Sequence, residues 1–139
     1  MTVSMDREKR RLAVIWFVGA AFLFFLVFVQ SVRGVYGDQW EKPWAWLLPS
    51  VVPTLSVILG VLGSDLTYPN HEDIQIDSFV PRIAAAFSIG YLLIVSLTIL
   101  LQPFSRYSPL TLMNMSHLWQ APLQGLVSGV LGALFVRQN

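Results

Sequence analysis

Residues 118–136 read Leu-Trp-Gln-Ala-Pro-Leu-Gln-Gly-Leu-Val-Ser-Gly-Val-Leu-Gly-Ala-Leu-Phe-Val, an uncharged run of 19 residues. As a helix this run is roughly 28 Å long, about the thickness of a bilayer's hydrocarbon core. One arc of its helical wheel carries small residues and the opposite arc carries leucine and valine. The small arc consists of Ala121, Pro122, Gly125, Ser128, Gly129, Gly132 and Ala133. Small residues allow helices to approach closely in lipid, so the pattern predicts a membrane helix around which the other helices pack, with its leucine and valine arc toward lipid.

Three further uncharged runs, residues 12–32, 44–63 and 83–102, are also long enough to cross a membrane. The chain is 55% hydrophobic and 12% charged, whereas soluble domains average about 25% charged residues. Its 139 residues are enough for one domain. The sequence therefore predicts an all-α membrane protein whose single domain, 1–139, has four transmembrane helices in an up-and-down bundle within the lipid bilayer.

The first run, 12–32, is rich in phenylalanine, and Gly19-Ala20-Ala21 is its one cluster of small residues. Bulky side chains all round predict a helix that mainly faces lipid and tolerates apolar substitution. A cleaved signal peptide is the competing interpretation. Signal peptides have apolar regions of about 7 to 15 residues and an Ala-x-Ala-like cleavage site, and Val29-Gln30-Ser31 is a poor match. We therefore expect the segment to be retained.

The second run contains Pro49 and Pro53, and each proline removes a backbone hydrogen bond. Such prolines are tolerated in membrane helices where neighbouring groups bind the freed carbonyls. Ser56, Gly60 and Gly63 share a wheel face with these prolines. This second small-residue face is predicted to pack against the small arc of the last helix.

Gln120, Gln124 and Ser128 follow one another at intervals of four residues and form a polar stripe on the last helix. The favoured interpretation is hydrogen bonding between helices, worth about 0.6 to 2 kcal/mol per contact. The alternative is that the stripe lines a water-filled pore in an oligomer.

The loop of residues 64–82 holds the one cluster of ligand-type residues, His71, Glu72, Asp73 and Asp77. It lacks the His-Glu-x-x-His spacing of helical zinc enzymes, so we interpret it as a solvated acidic loop able to contact a partner. His117 stands alone and suits a membrane interface better than catalysis. We therefore predict no catalytic site, no metal and no cofactor.

Charge and composition exclude several function classes. There is no cysteine, so no thiolate chemistry is available, and the net charge of +1 gives no argument for nucleic acid. The four runs contain no charged residue, which counts against an ion-coupled transporter or an intramembrane hydrolase. We expect a protein that is not an enzyme.

Lysine and arginine predict the orientation. On the membrane side that holds the termini there are six basic residues: Arg7, Lys9, Arg10, Arg11, Arg82 and Arg137. On the other side there are three: Arg33, Lys42 and Arg106. The positive-inside rule then predicts a plasma-membrane protein with both termini in the cytoplasm.

The leading functional hypothesis is a scaffold or membrane-complex subunit that self-associates or binds a partner through its small-residue faces. The second hypothesis is an oligomeric pore or membrane-perturbing effector.

Overall fold

A computed structural model describes residues 1–67 and 74–136, without the side chains of 135 and 136. This part of the chain contains four long helices, α1 (Met5–Val32), α2 (Glu41–Thr67), α3 (Phe79–Leu100) and α4 (Pro109–Val136). Short 3-10 turns, Gly37–Gln39 and Gln102–Phe104, lie in two of the links. Each helix overlaps one of the four uncharged runs, and the predominantly helical class is confirmed.

Three helical segments of the described chain are long and apolar enough to cross a membrane: α1, α2 with the turn before it (Gly37–Thr67), and α3. They indicate a membrane location. Helix α4 has 28 residues, as many as α1, but is not among these three segments of the described chain.

Two helices begin well before their apolar runs. Ser4 Oγ accepts a hydrogen bond from the Arg7 N–H at 3.4 Å, which caps the start of α1. Ser108 Oγ accepts one from the Thr111 N–H at 3.3 Å, with Pro109 at the first helical position of α4. Helix α4 therefore begins before the uncharged run that starts at residue 118, because caps determine where a helix begins whereas an apolar run reflects membrane thickness.

A two-stranded antiparallel sheet joins the N-terminus to the chain just before α3. Strand β1 (Thr2–Ser4) pairs with β2 (Gln75–Asp77), and Val3 lies opposite Ile76. The Ser78 N–H also donates to the Met1 carbonyl at 3.0 Å. Three-residue strands are too short for alternation to reveal them in the sequence, so this sheet was not predicted.

The helices contact one another in a definite order: α1 packs against α3 and α2, and α4 packs against α3 and α2. At the end of the molecule that carries the sheet, Lys9 Nζ on α1 lies 3.5 Å from Asp65 Oδ2 on α2. At the opposite end, the Phe24 and Trp44 rings stack with centroids 6.0 Å apart. Since α1 packs mainly on α2 and α3, α4 is not the helix around which all the others pack.

Helix α1 has a packed face that the sequence did not predict, although only 33% of its most apolar stretch is buried within the chain. Trp16, Leu23 and Val27 are completely buried, whereas Phe25 and Phe28 are exposed. A Cβ atom placed on Gly19 would lie 2.6 Å from Leu92 Cδ1 of α3. Most of the phenylalanine side chains of α1 thus occupy the outer face, and Gly19 allows the close approach of α3.

We predict that Gly19→Leu destabilises the protein by about 1 to 3 kcal/mol, because the new side chain must displace buried Leu92. Val18→Leu is the matched control, since Val18 is adjacent, lies at the same depth and is 64% exposed; we expect it to be close to neutral. Thermal unfolding in detergent measures both variants. Equal stability of the two would show that α1 and α3 are not closely packed at Gly19.

Candidate functional site

The central polar contact is at the prolines of α2. Pro53 has no N–H, so the carbonyl of Pro49, four residues earlier, loses its helical partner. Gln124 Nε2 of α4 donates to this carbonyl at 3.1 Å and also lies 3.4 Å from the Ser50 carbonyl. The sequence predicted that neighbours would bind the carbonyls freed by proline, and Gln124 does so here.

Other hydrogen bonds reinforce the same region of the helix interfaces. The Tyr91 hydroxyl of α3 donates to the Ser50 carbonyl at 3.0 Å. Trp46 Nε1 of α2 donates to Ser116 Oγ of α4 at 2.9 Å. Both bonds are buried, so α2 is joined to α3 and α4 by groups that are shielded from water. Sequence reasoning missed these pairs, although a buried tryptophan N–H generally finds an acceptor.

A third buried hydrogen bond connects α1 to α3. Trp16 Nε1 of α1 donates to Ser88 Oγ of α3 at 3.0 Å. The Trp16 ring also packs against Tyr91, with ring centroids 5.9 Å apart. Polar contacts between helices therefore extend from α1 through α3 to α2 and α4.

The predicted polar stripe of α4 divides among three environments. Gln120 is buried, Gln124 lies at the contact with α2, and Ser128 is exposed. Because Gln120 is buried and Ser128 is exposed, the stripe does not line one continuous surface in this chain. The contacts of Gln124 are those expected from hydrogen bonding between helices.

The two small-residue faces do not pack against each other within the chain, contrary to expectation. A Cβ placed on Gly60, Gly63, Gly125, Gly129 or Gly132 would meet no atom within 4 Å. Ser56, Ala121 and Ser128 are exposed, whereas Val127, Leu131 and Leu134 are buried. The orientation of α4 is therefore opposite to the expected one, because large side chains fill the space between helices and glycine cannot.

The two small-residue faces both lie on the outside of the molecule, on two helices that contact each other. Ser50 and Gln124 mark the contact between α2 and α4. At about 100° per residue, Gly60 lies roughly 80° from Ser50 on α2, and Ser128 lies roughly 40° from Gln124 on α4. Both faces thus begin near the same contact and turn outward. We call this surface the α2–α4 outer face; its residues are Ser56, Gly60, Gly63, Ala121, Gly125, Ser128, Gly129 and Gly132.

Ala133 is separate from this surface. It lines a cavity of about 370 Å³ at the sheet end of the molecule, together with Met5, Val80 and the β2 strand. Ala133 was predicted to belong to the small packing face of α4, and the structure instead places it beside α1 and α3.

Of the predicted acidic loop, the structure describes residues 64–67 and 74–82. Asp77 Oδ1 accepts a hydrogen bond from the Phe79 N–H at 3.0 Å and so caps the start of α3. His71, Glu72 and Asp73 lie outside the described residues, and the prediction of a partner-binding loop stays a prediction. Among residues 1–67 and 74–136 no group of three metal-ligating side chains comes together. His117 is exposed.

Tyr36 lies in the link between α1 and α2, and its phenol has a raised pKa. Its hydroxyl donates to Gln30 Oε1. Burial raises the pKa of Tyr36 to about 12, and the nearby Gln102 amide opposes the shift. The phenol is therefore neutral at physiological pH and serves as a hydrogen-bond donor that ties this link to the end of α1.

We predict that Gln124→Leu destabilises the protein by about 1 kcal/mol, because it leaves the Pro49 carbonyl, which Pro53 cannot bind, without its donor. In a Pro53→Ala background the alanine N–H can bind that carbonyl, so Gln124→Leu should cost less there. A double-mutant cycle of thermal or denaturant unfolding in detergent measures the difference. Additive effects of the two substitutions would contradict a functional link between Gln124 and Pro53.

No protein-family model, curated protein or solved structure matches the chain.

Proposed function

We propose that the protein is an integral membrane scaffold or membrane-complex subunit that associates with a second copy of itself through the α2–α4 outer face. In this proposal α4 is a fourth membrane span, the four helices form an up-and-down bundle, and both termini lie in the cytoplasm. The observation that carries the proposal is the outward orientation of glycines on two neighbouring helices.

Exposed glycines are costly unless they gain packing elsewhere. Glycine inside a helix is less favourable than alanine by about 1 kcal/mol, and five glycines of α2 and α4 have no neighbour within 4 Å of a Cβ position. In lipid, surfaces of this kind favour close helix–helix contact. A partner helix from outside the chain would supply that contact.

A second copy fits this face better than an unrelated partner. Two copies inserted with the same orientation place the same residues at the same depth in the bilayer. A two-fold axis along the membrane normal would then bring the face onto itself, which is the commonest arrangement of homo-oligomers. The face carries no charged residue between Pro49 and Gly63 or between Ala121 and Gly132, so self-contact meets no like-charge repulsion.

The contacts of α4 also support its placement in the membrane. It contains two glutamines, but the Gln124 amide donates to α2 and Gln120 is buried. The surface that α4 would present to lipid or to a second copy is therefore more apolar than its composition suggests.

We expect Gly129→Leu to weaken self-association in detergent about 5- to 150-fold, corresponding to an overpacking cost of about 1 to 3 kcal/mol. Because no atom lies within 4 Å of a Cβ at Gly129, the monomer should keep its stability. Val14→Leu on α1 is the control, since Val14 is 62% exposed and outside the face. Sedimentation equilibrium measures the association of each protein.

Association unchanged by Gly129→Leu would refute the proposed interface. The pore hypothesis is tested in the same series by ion flux through purified protein in liposomes. Flux that Gln124→Leu abolishes without weakening association would favour the pore over the scaffold.

Orientation is a separate expectation. Reporter fusions at residue 139 and within the link between α2 and α3 should report the cytoplasm, and fusions within 103–108 should report the outside, because positive charge is concentrated near the termini. Finding the link between α2 and α3 outside the cell would reverse the proposed topology.

A further inference from the structure

We propose that the interior of the protein binds an ordered water molecule at the side-chain amide of Gln120. This amide is 2% exposed, and neither its oxygen nor its nitrogen has a hydrogen-bond partner among the described residues. A buried primary amide requires both donors and acceptors, and leaving them unsatisfied is strongly unfavourable.

The position of Gln120 is fixed by its neighbours along α4. Ser116, one turn before it, binds Trp46 Nε1, and Gln124, one turn after it, donates to the Pro49 carbonyl. Gln120 therefore lies between two contacts with α2, and its burial places the amide among the packed helices rather than toward lipid.

The surrounding polar groups are already committed to other partners. Ser116 Oγ donates to the Met113 carbonyl, and Ser50 Oγ donates to the Trp46 carbonyl. The Tyr91 hydroxyl donates to the Ser50 carbonyl. On α3, the residue one turn after Tyr91 is Val95, which is fully buried and apolar.

Water is the ligand whose chemistry fits this position. It donates two hydrogen bonds and accepts two, so one molecule can donate to the amide oxygen and accept from the amide nitrogen of Gln120. Buried waters of this kind typically make about three hydrogen bonds to otherwise unsatisfied groups. The inference does not depend on self-association, because Gln120 lies inside a single chain.

The test is nuclear magnetic resonance of the full chain in detergent micelles, with ¹⁵N-labelled glutamine side chains. We expect the Gln120 amide protons to show cross-peaks to water in both NOE and ROE spectra, with the opposite signs that an immobilised water produces. The signal is assigned by its loss in Gln120→Leu and, independently of that variant's folding, by through-bond experiments on the unmodified protein. The Gln124 amide, which donates to α2, is the internal reference and should show weaker or no cross-peaks.

A hydroxyl proton that exchanges with water could imitate this result, and Ser116→Ala separates the two sources. Cross-peaks that persist in Ser116→Ala support a bound water. Their disappearance in Ser116→Ala, or their absence in the unmodified protein, would overturn the inference and show that the amide is satisfied without water.

Discussion

The hydrogen bond from Gln124 to the Pro49 carbonyl is the contact on which the arrangement of α2, α3 and α4 depends. Pro53 creates the need for it, because an imino nitrogen cannot close the helical bond and a carbonyl without a donor costs free energy. Binding that carbonyl fixes the rotation of α4 about its axis. Once Gln124 faces α2, Val127 and Leu131 turn into the core and the glycines turn outward.

The same rotation explains how a chain with so many small residues is packed. The core is filled by tryptophan, tyrosine and branched aliphatic side chains, which provide the many dispersion contacts that glycine cannot. Gly19 is the exception among the described glycines, since a Cβ there would meet Leu92 of α3. The five glycines of α2 and α4 have no neighbour within 4 Å of a Cβ position, which is the physical basis for proposing a second copy.

Polar groups in this interior are shared between helices rather than exposed to lipid. Trp16 pairs with Ser88, and Trp46 pairs with Ser116. Hydrogen bonds between membrane helices are individually modest, so their value here is in specifying which helices meet and at what level. The Lys9–Asp65 pair and the small sheet do the same at the end of the molecule that carries the N-terminus.

The sequence by itself determined the helical class, the approximate positions of the four helices and the membrane character of the chain, because continuous apolar runs are local properties. It also indicated that the carbonyl freed by Pro53 would need a partner. Only the tertiary structure decided that this partner is Gln124, that α1 has a packed face and that the glycine arc of α4 faces outward. A helical wheel shows that two faces differ but cannot show which one is buried, since that depends on the volume and hydrogen bonds that the other helices supply. The three-residue strands and the Lys9–Asp65 pair were equally inaccessible, because both join residues more than fifty positions apart.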